Sequence, residues 1–142
     1  MAKLFLLRHG EARAQHPDHS RPLTAKGQLE VAAKAQHLPS SLLVWVSPLL
    51  RAQQSLEQLQ QQGFVPQALV QTSALEPDEP LDALLKLLWP VQQDLLLVGH
   101  NPLLSSLAHS LSGLSLAMQT GQLLILEGDC LAPHCMQLLE SH

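Results

Sequence analysis

Short apolar runs without polar alternation recur along the chain. The clearest are Leu4-Phe5-Leu6-Leu7, Leu42-Leu43-Val44-Trp45-Val46 and Leu95-Leu96-Leu97-Val98. A run of four or five residues bounded by charge, Pro or Gly reads as a buried strand, since a helix needs about ten. Continuous apolar runs belong to strands covered on both faces. Between them the periodicity changes. Thr24 is placed to cap a helix from Ala25 to about His37, with Leu29, Ala32, Ala33 and Ala35 as its packing face. Ser47-Pro48 reads as a cap followed by proline at the first helical position, opening a helix that ends near Gln62 before Gly63. Ala68–Thr72 is a short third strand. Leu81–Trp89 is a helix carrying Leu81, Leu84, Leu85 and Leu88 on one face, and Asn101-Pro102 opens a helix to about Leu111, closed by Gly113. Leu123–Leu126 and Met136–Leu139 read as a terminal hairpin around Gly128-Asp129.

The resulting order, β-α-β-α-β-α-β-α-β-β, predicts an α/β fold: a three-layer α/β/α sandwich with a mostly parallel sheet and helices on both faces. Residues 1–142 are expected to form a single domain, a length at which roughly 70% of the unfolded surface can be buried. Apolar residues make up 46% of the chain with two Phe, two Trp and no Tyr, so the core must be built of Leu, Val and Ala.

Charge narrows the partners. The net charge is −4 and Lys or Arg never cluster, which argues against nucleic acid. No segment has the length of a membrane span or of a signal-peptide core, so a cytoplasmic location is expected and a membrane partner is not. The four arginines are Arg8, Arg13, Arg21 and Arg51, and none follows Arg51. Such placement in an acidic chain points to local use on an anion. Cys130 and Cys135 suit a protein without a disulfide framework. With His134 and His142 they lack the paired spacing of a zinc site, and they read as packing thiols. His16, His19, His37, His109, His134 and His142 read as ordinary loop, helix-surface or terminal residues.

The ends of the runs carry the chemistry. The first strand delivers Arg8 and His9 and then Gly10, where the backbone is free to turn. The second delivers Ser47, with Arg51 one turn into the following helix. The fourth delivers Gly99-His100-Asn101. In α/β sheets ligands bind outside the carboxyl ends of the strands. Two histidines and two arginines meeting there suit phosphoryl transfer: imidazole is a nucleophile at cellular pH, and guanidinium forks match phosphate oxygens. Ser47 and Asn101 also read as helix caps, and Glu11 as a brace for Arg8 or His9.

These residues also carry a resemblance. Arg8-His9-Gly10-Glu11 resembles the Arg-His-Gly signature of the histidine phosphatase superfamily, which includes the cofactor-dependent phosphoglycerate mutases. Together with Arg21-Pro22-Leu23-Thr24 and Gly27, Ser47-Pro48-Leu49-Leu50-Arg51-Ala52, and Gly99-His100-Asn101-Pro102, it resembles the small SixA-type phosphohistidine phosphatases. The motifs run in order from residue 8 to 102. The resemblance implies a phosphoglycerate mutase-like fold without a large lid insertion. It also implies a nucleophilic His9, phosphate clamps at Arg8, Arg21 and Arg51, and a phosphate-contacting His100, with Gly10 and Asn101 bordering the substrate.

The expected reaction is metal-independent and needs no cofactor. His9 attacks phosphorus, water hydrolyses the phosphohistidine, and inorganic phosphate leaves. The general acid is open between Asp18, in the loop before Arg21, and Glu76, after the third strand. The expected substrate is a phosphorylated protein carrying phosphohistidine, such as a histidine-phosphotransfer domain or a phosphocarrier. The alternatives are a small-molecule phosphomonoesterase acting on small phosphate esters and a non-catalytic phosphate-binding module.

Overall fold

A computed structural model describes residues 1–142. It contains β1 (Ala2–Arg8), α1 (Ala25–Ala32), β2 (Leu43–Val46), α2 (Leu50–Gln61), β3 (Ala68–Gln71), α3 (Leu81–Leu88), β4 (Leu95–Gly99), α4 (Leu103–Ser112), β5 (Leu123–Gly128) and β6 (Met136–Ser141). Single 3-10 turns occupy Asp18–Ser20, Ala35–His37 and Ser73–Leu75. The six strands form one mixed sheet in the order β3-β2-β4-β1-β5-β6. The first four run parallel, and β5 and β6 pair antiparallel on the far side of β1. No helix is long and apolar enough to cross a membrane.

The unalternating runs are explained by burial on both faces. Leu4, Leu6, Leu95, Leu97, Leu124 and Leu126 pack under α3 and α4. Phe5, Leu7, Val44, Val46, Leu96, Val98 and Ile125 pack under α1 and α2. Successive strand residues point to opposite faces, so each face receives every second residue of the same run. The three layers follow, with α1 and α2 on one side and α3 and α4 on the other.

Four local expectations are corrected. Leu29 is 73% exposed, whereas Gly27 and Val31 form the buried face of α1. Gly27 and Val31 are one turn apart, and Leu29 lies about 200° around the helix from Gly27. The reason for that choice of face is backbone proximity: a Cβ on Gly27 would overlap the backbone of Glu11, and a Cβ on Gly10 would overlap the Gly27 carbonyl. Gly10 does not take positive φ, so it serves close approach rather than a turn. The second correction is Ser47, which is not the cap of α2. It continues the sheet, its N–H donating to the Val98 carbonyl at 3.1 Å, and α2 begins at Leu50. Third, Asn101-Pro102 does not start α4 with proline in its first turn; α4 begins at Leu103, after Pro102. Finally, Cys130 and Cys135 are free thiols in the β5–β6 turn, Cys135 exposed, and do not pack a core.

Candidate active site

The carboxyl ends of β1, β2 and β4 lie side by side because β4 is inserted between β2 and β1. Arg8 pairs with Gly99 in the β1–β4 register, and the His9 N–H extends that ladder to the Gly99 carbonyl at 3.0 Å. His9 and His100 therefore emerge from adjacent strands, their ring centroids 5.0 Å apart. Both are buried.

His9 Nδ1–H donates to the Gly10 carbonyl at 2.7 Å, which leaves the Nε2 lone pair directed away from the backbone. Arg51 Nε–H lies 3.3 Å from that Nε2. Burial first, and then the positive charges of Arg51, Arg8 and Arg21, push His9 down to about 4. His100 falls to about 3, chiefly through burial, with His9 and Arg51 adding to the effect. Both imidazoles are thus neutral at neutral pH, the form in which a ring nitrogen is a nucleophile.

His100 Nε2 is 2.7 Å from Ser47 Oγ, which also accepts the Leu49 N–H at 3.2 Å. In the tautomer in which the Ser47 hydroxyl donates to Nε2, Nδ1 carries the His100 proton. That Nδ1 and Arg8 Nε are buried polar atoms with no partner in the protein. Buried donors without partners are rare and costly. Two of them at the adjacent strand ends that carry His9 and His100 suit an anion.

The arginines are held differently. Arg8 Nη1 donates to the Met118 carbonyl at 2.9 Å. Arg51 Nη1 donates to the Asp18 carbonyl at 2.9 Å, and its Nη2 lies 3.3 Å from Asp18 Oδ2. Arg21 reaches the other Asp18 oxygen at 3.3 Å and donates through Nε to the Arg13 carbonyl at 2.7 Å. Burial is the largest single influence on Asp18 and acts upward, but the hydrogen bonds and charges of Arg21 and Arg51 together outweigh it and hold the carboxyl below the ordinary range. Asp18 is therefore ionised at neutral pH. Glu76 lines the same open pocket of about 360 Å³ with Asp18, His19, Leu49 and Pro77.

The structure thus gathers Arg8, His9, Arg51, His100, Asp18 and Arg21 at one end of the sheet, with Glu76 at the rim. Gly10 and Asn101 are placed to support that centre. Gly10 spends its carbonyl on His9, and its N–H donates to Ser55 Oγ at 3.1 Å. Asn101 donates to the Met118 carbonyl at 2.7 Å and accepts from Ser105 at 2.6 Å.

Two supporting groups, Ser55 and Glu30, escape the sequence pattern, and Ser47, expected as a helix cap, takes a different role. Ser55, one turn after Arg51 on α2, ties Gly10 to the Arg51 carbonyl. Ser47 orients His100. Glu30 accepts the Glu11 N–H at 2.9 Å and the Thr120 hydroxyl at 3.3 Å, joining α1 to the loops around His9. Ser47 alone is marked in the sequence, by its place at the end of the second apolar run.

A sequence profile described as "Histidine phosphatase superfamily (branch 1)" matches residues 4–75, which include Arg8, His9, Asp18, Arg21 and Arg51. The chain belongs to the histidine phosphatase superfamily. Among solved structures of this fold, the protein histidine phosphatase SixA complexed with tungstate superposes with a TM-score of 0.85 at 26% identity, covering 98% of this chain and 95% of that one. A phosphoglycerate mutase from Thermus thermophilus shares the fold with a TM-score of 0.72 at 18% identity, covering 98% and 97%. No curated protein matches the chain. The near end-to-end coverage of SixA agrees with a superfamily core free of a large lid insertion.

Burying two neutral histidines at this superfamily site has a cost that depends on pH. In the unfolded chain both take up protons below about 6.5, whereas in the folded chain they do so only near 4 and 3. The unfolded state therefore binds more protons across that window, and stability falls as pH drops through it. Urea unfolding at pH 7.5 and pH 5 should show a loss of roughly 2–4 kcal/mol. His100→Gln should flatten the slope; a parent protein equally stable at both values would contradict the assignment of neutral buried rings.

Proposed function

We propose that residues 1–142 form one catalytic domain that hydrolyses phosphohistidine on a protein, through a phosphohistidine on its own His9. The observation that carries this reading is the His9 ring: Nδ1–H is locked on the Gly10 carbonyl, so Nε2 keeps its lone pair, which faces the Arg51 Nε–H at 3.3 Å. A binding module would gain nothing from an imidazole held neutral with its lone pair turned into the site.

Phosphoryl transfer passes through a loose transition state with charge spread over three equatorial oxygens. In this reading Arg8 Nε, His100 Nδ1 and the Arg51 fork receive those oxygens, and Arg21 adds charge from the rim. The incoming phosphoryl group competes with Asp18 for Arg51. The positive charge is supplied by arginines, and neutral His100 adds a hydrogen bond, so the chemistry requires no metal and no cofactor. His9 Nε2 forms the bond to phosphorus as the bond to the leaving group breaks. Water then attacks the phosphohistidine, regenerating His9 and releasing inorganic phosphate.

The leaving group decides how much acid catalysis is needed. Imidazole leaves with a pKa near 7 and needs little protonation, whereas an alkoxide needs much. Asp18, held as a carboxylate by two arginines, is a poor proton donor, and Glu76 stands at the rim. A site so arranged favours phosphohistidine over alkyl phosphates. The neighbouring SixA, a protein histidine phosphatase bound to the tetrahedral oxyanion tungstate, supports the same substrate class.

Rates on a phosphohistidine protein and on a panel of sugar and nucleotide phosphates test the proposal directly. The phosphohistidine substrate should be preferred by at least about 10²-fold, the scale of one acid-catalytic contribution. Glu76→Gln should lower the residual rate on an alkyl phosphate while leaving the phosphohistidine rate within a few-fold. Asp18→Asn should instead change KM, by releasing Arg21 and Arg51. A general preference for alkyl phosphates would turn the reading to a small-molecule phosphomonoesterase.

A further inference from the structure

His37 and His142 are separated by more than a hundred residues of sequence, yet their imidazoles stack with centroids 3.6 Å apart and planes 9° from parallel. Glu140 completes the group. Its Oε1 lies 3.0 Å from His142 Nε2, and one ligand atom from each of the three residues falls within 4.8 Å of the others. We propose that His37, Glu140 and His142 form a peripheral binding site for a divalent transition-metal ion of the zinc class.

The donor set is the first argument. Two imidazoles and a carboxylate suit Zn²⁺ or Co²⁺, with a fourth position left for water. Metal–ligand bonds of about 2.0–2.2 Å place tetrahedral donors roughly 3.3–3.5 Å apart. His142 Nε2 and Glu140 Oε1, 3.0 Å apart, have to separate by only a few tenths of an ångström to reach that spacing. The third donor needs the stacked rings to turn so that both nitrogens face one ion; Glu140 and His142 are exposed and His37 is half-buried, so the turn falls mainly to His142.

The second argument is that the backbone under all three residues is fixed. His142 N–H donates to the Leu123 carbonyl at 2.9 Å and its carbonyl accepts the Leu123 N–H at 3.1 Å. Glu140 sits opposite Ile125 in the β5–β6 ladder. The His37 N–H closes a single turn on the Lys34 carbonyl at 3.0 Å. The third argument is charge. His37 and Glu140 line an open groove of about 460 Å³ on the α1 face that also holds Asp94 and Glu127, against Lys3 as its one basic residue. An ion here would join edge strand β6 to the end of α1. The site lies on β6, two strands from β1, and is separate from the His9 centre.

Equilibrium dialysis of the full chain against Co²⁺ and Zn²⁺ tests the proposal, with the visible spectrum of the Co²⁺ form as a second readout. One equivalent should bind at micromolar metal, with d–d bands of four- or five-coordinate Co²⁺. His37→Ala, His142→Ala and Glu140→Gln should each weaken binding by at least about tenfold. The paired Cys130→Ser/Cys135→Ser variant and His9→Ala should bind as the parent does. Metal that binds the folded chain should raise Tm in the parent and in those controls but not in the three ligand variants. Phosphatase activity of His37→Ala should equal that of the parent. No uptake at micromolar metal would overturn the proposal. So would uptake that survives His37→Ala and His142→Ala but is lost with the cysteines or His9.

Discussion

His9→Ala is expected to lower kcat/KM by roughly 10⁴–10⁶-fold, the range seen when a covalent nucleophile is removed. In the proposed mechanism the loss should be in the chemical step, because Arg8, Arg51 and His100, the proposed phosphoryl ligands, remain. Incubation of the parent with ³²P-labelled phosphohistidine protein and rapid quenching should trap a labelled enzyme whose phosphate is acid-labile and stable to base. The variant should carry no label. Equal labelling of both would remove His9 from the reaction.

The pH profile gives an independent check. A nucleophilic imidazole acts only when neutral, and burial, with the nearby arginines, places His9 at about 4. The acid limb of kcat/KM should therefore fall near pH 4, well below the 6.5 of an unperturbed histidine. Activity should be level from about pH 5.5 to 7.5 as far as this group is concerned. An acid limb centred on 6.5 would mean that the His9 ring is solvated in the working enzyme.

Arg51→Ala is the second large effect, expected at about 10³-fold or more in kcat/KM, by analogy with arginines that stabilise phosphoryl transition states. Arg51 is buried, so its charge acts in a medium that screens it poorly. Its Nε is 3.3 Å from His9 Nε2, and its two terminal nitrogens are close to Asp18. The planar fork, rather than charge alone, fits this arrangement. Arg51→Lys should therefore recover little of the activity. Arg51 also helps to hold His9 neutral, so its removal should move the acid limb of the remaining activity upward. A rate loss with no shift of that limb would indicate that Arg51 acts on substrate without setting the state of His9. A lysine variant with nearly full activity would contradict the role of the fork.

Much of the centre is legible in the sequence, for local reasons. Leu4–Leu7 and Leu95–Val98 are apolar throughout because both faces of the sheet are covered, and that demand acts on each residue directly. The polar residues that end these runs have to emerge at the sheet's carboxyl edge. Strand direction alone thus assigns Arg8, His9, Arg51 and His100 to one place. Where local pattern misleads, a longer-range contact is the reason. Ser-Pro favours a helix cap at Ser47, whereas the sheet ladder extends one residue further and leaves the Ser47 hydroxyl for His100. Leu29 is apolar and suits a core, whereas α1 turns Gly27 inward to let its backbone meet that of Glu11.

The sequence by itself determined the strands, the order of elements and the four residues at the heart of the site. It did so because hydrophobic period and strand polarity are properties of neighbouring residues. Tertiary structure decided which side chains support them. Asp18 is shared between two arginines, Ser55 holds Gly10, Glu30 joins two loops, and His37 meets Glu140 and His142. Each of these contacts, apart from the short span from Asp18 to Arg21, joins residues far apart in the chain. Hydrogen bonds and ion pairs of a few ångströms depend on how packed layers bring separate backbones together, and no local pattern encodes that distance.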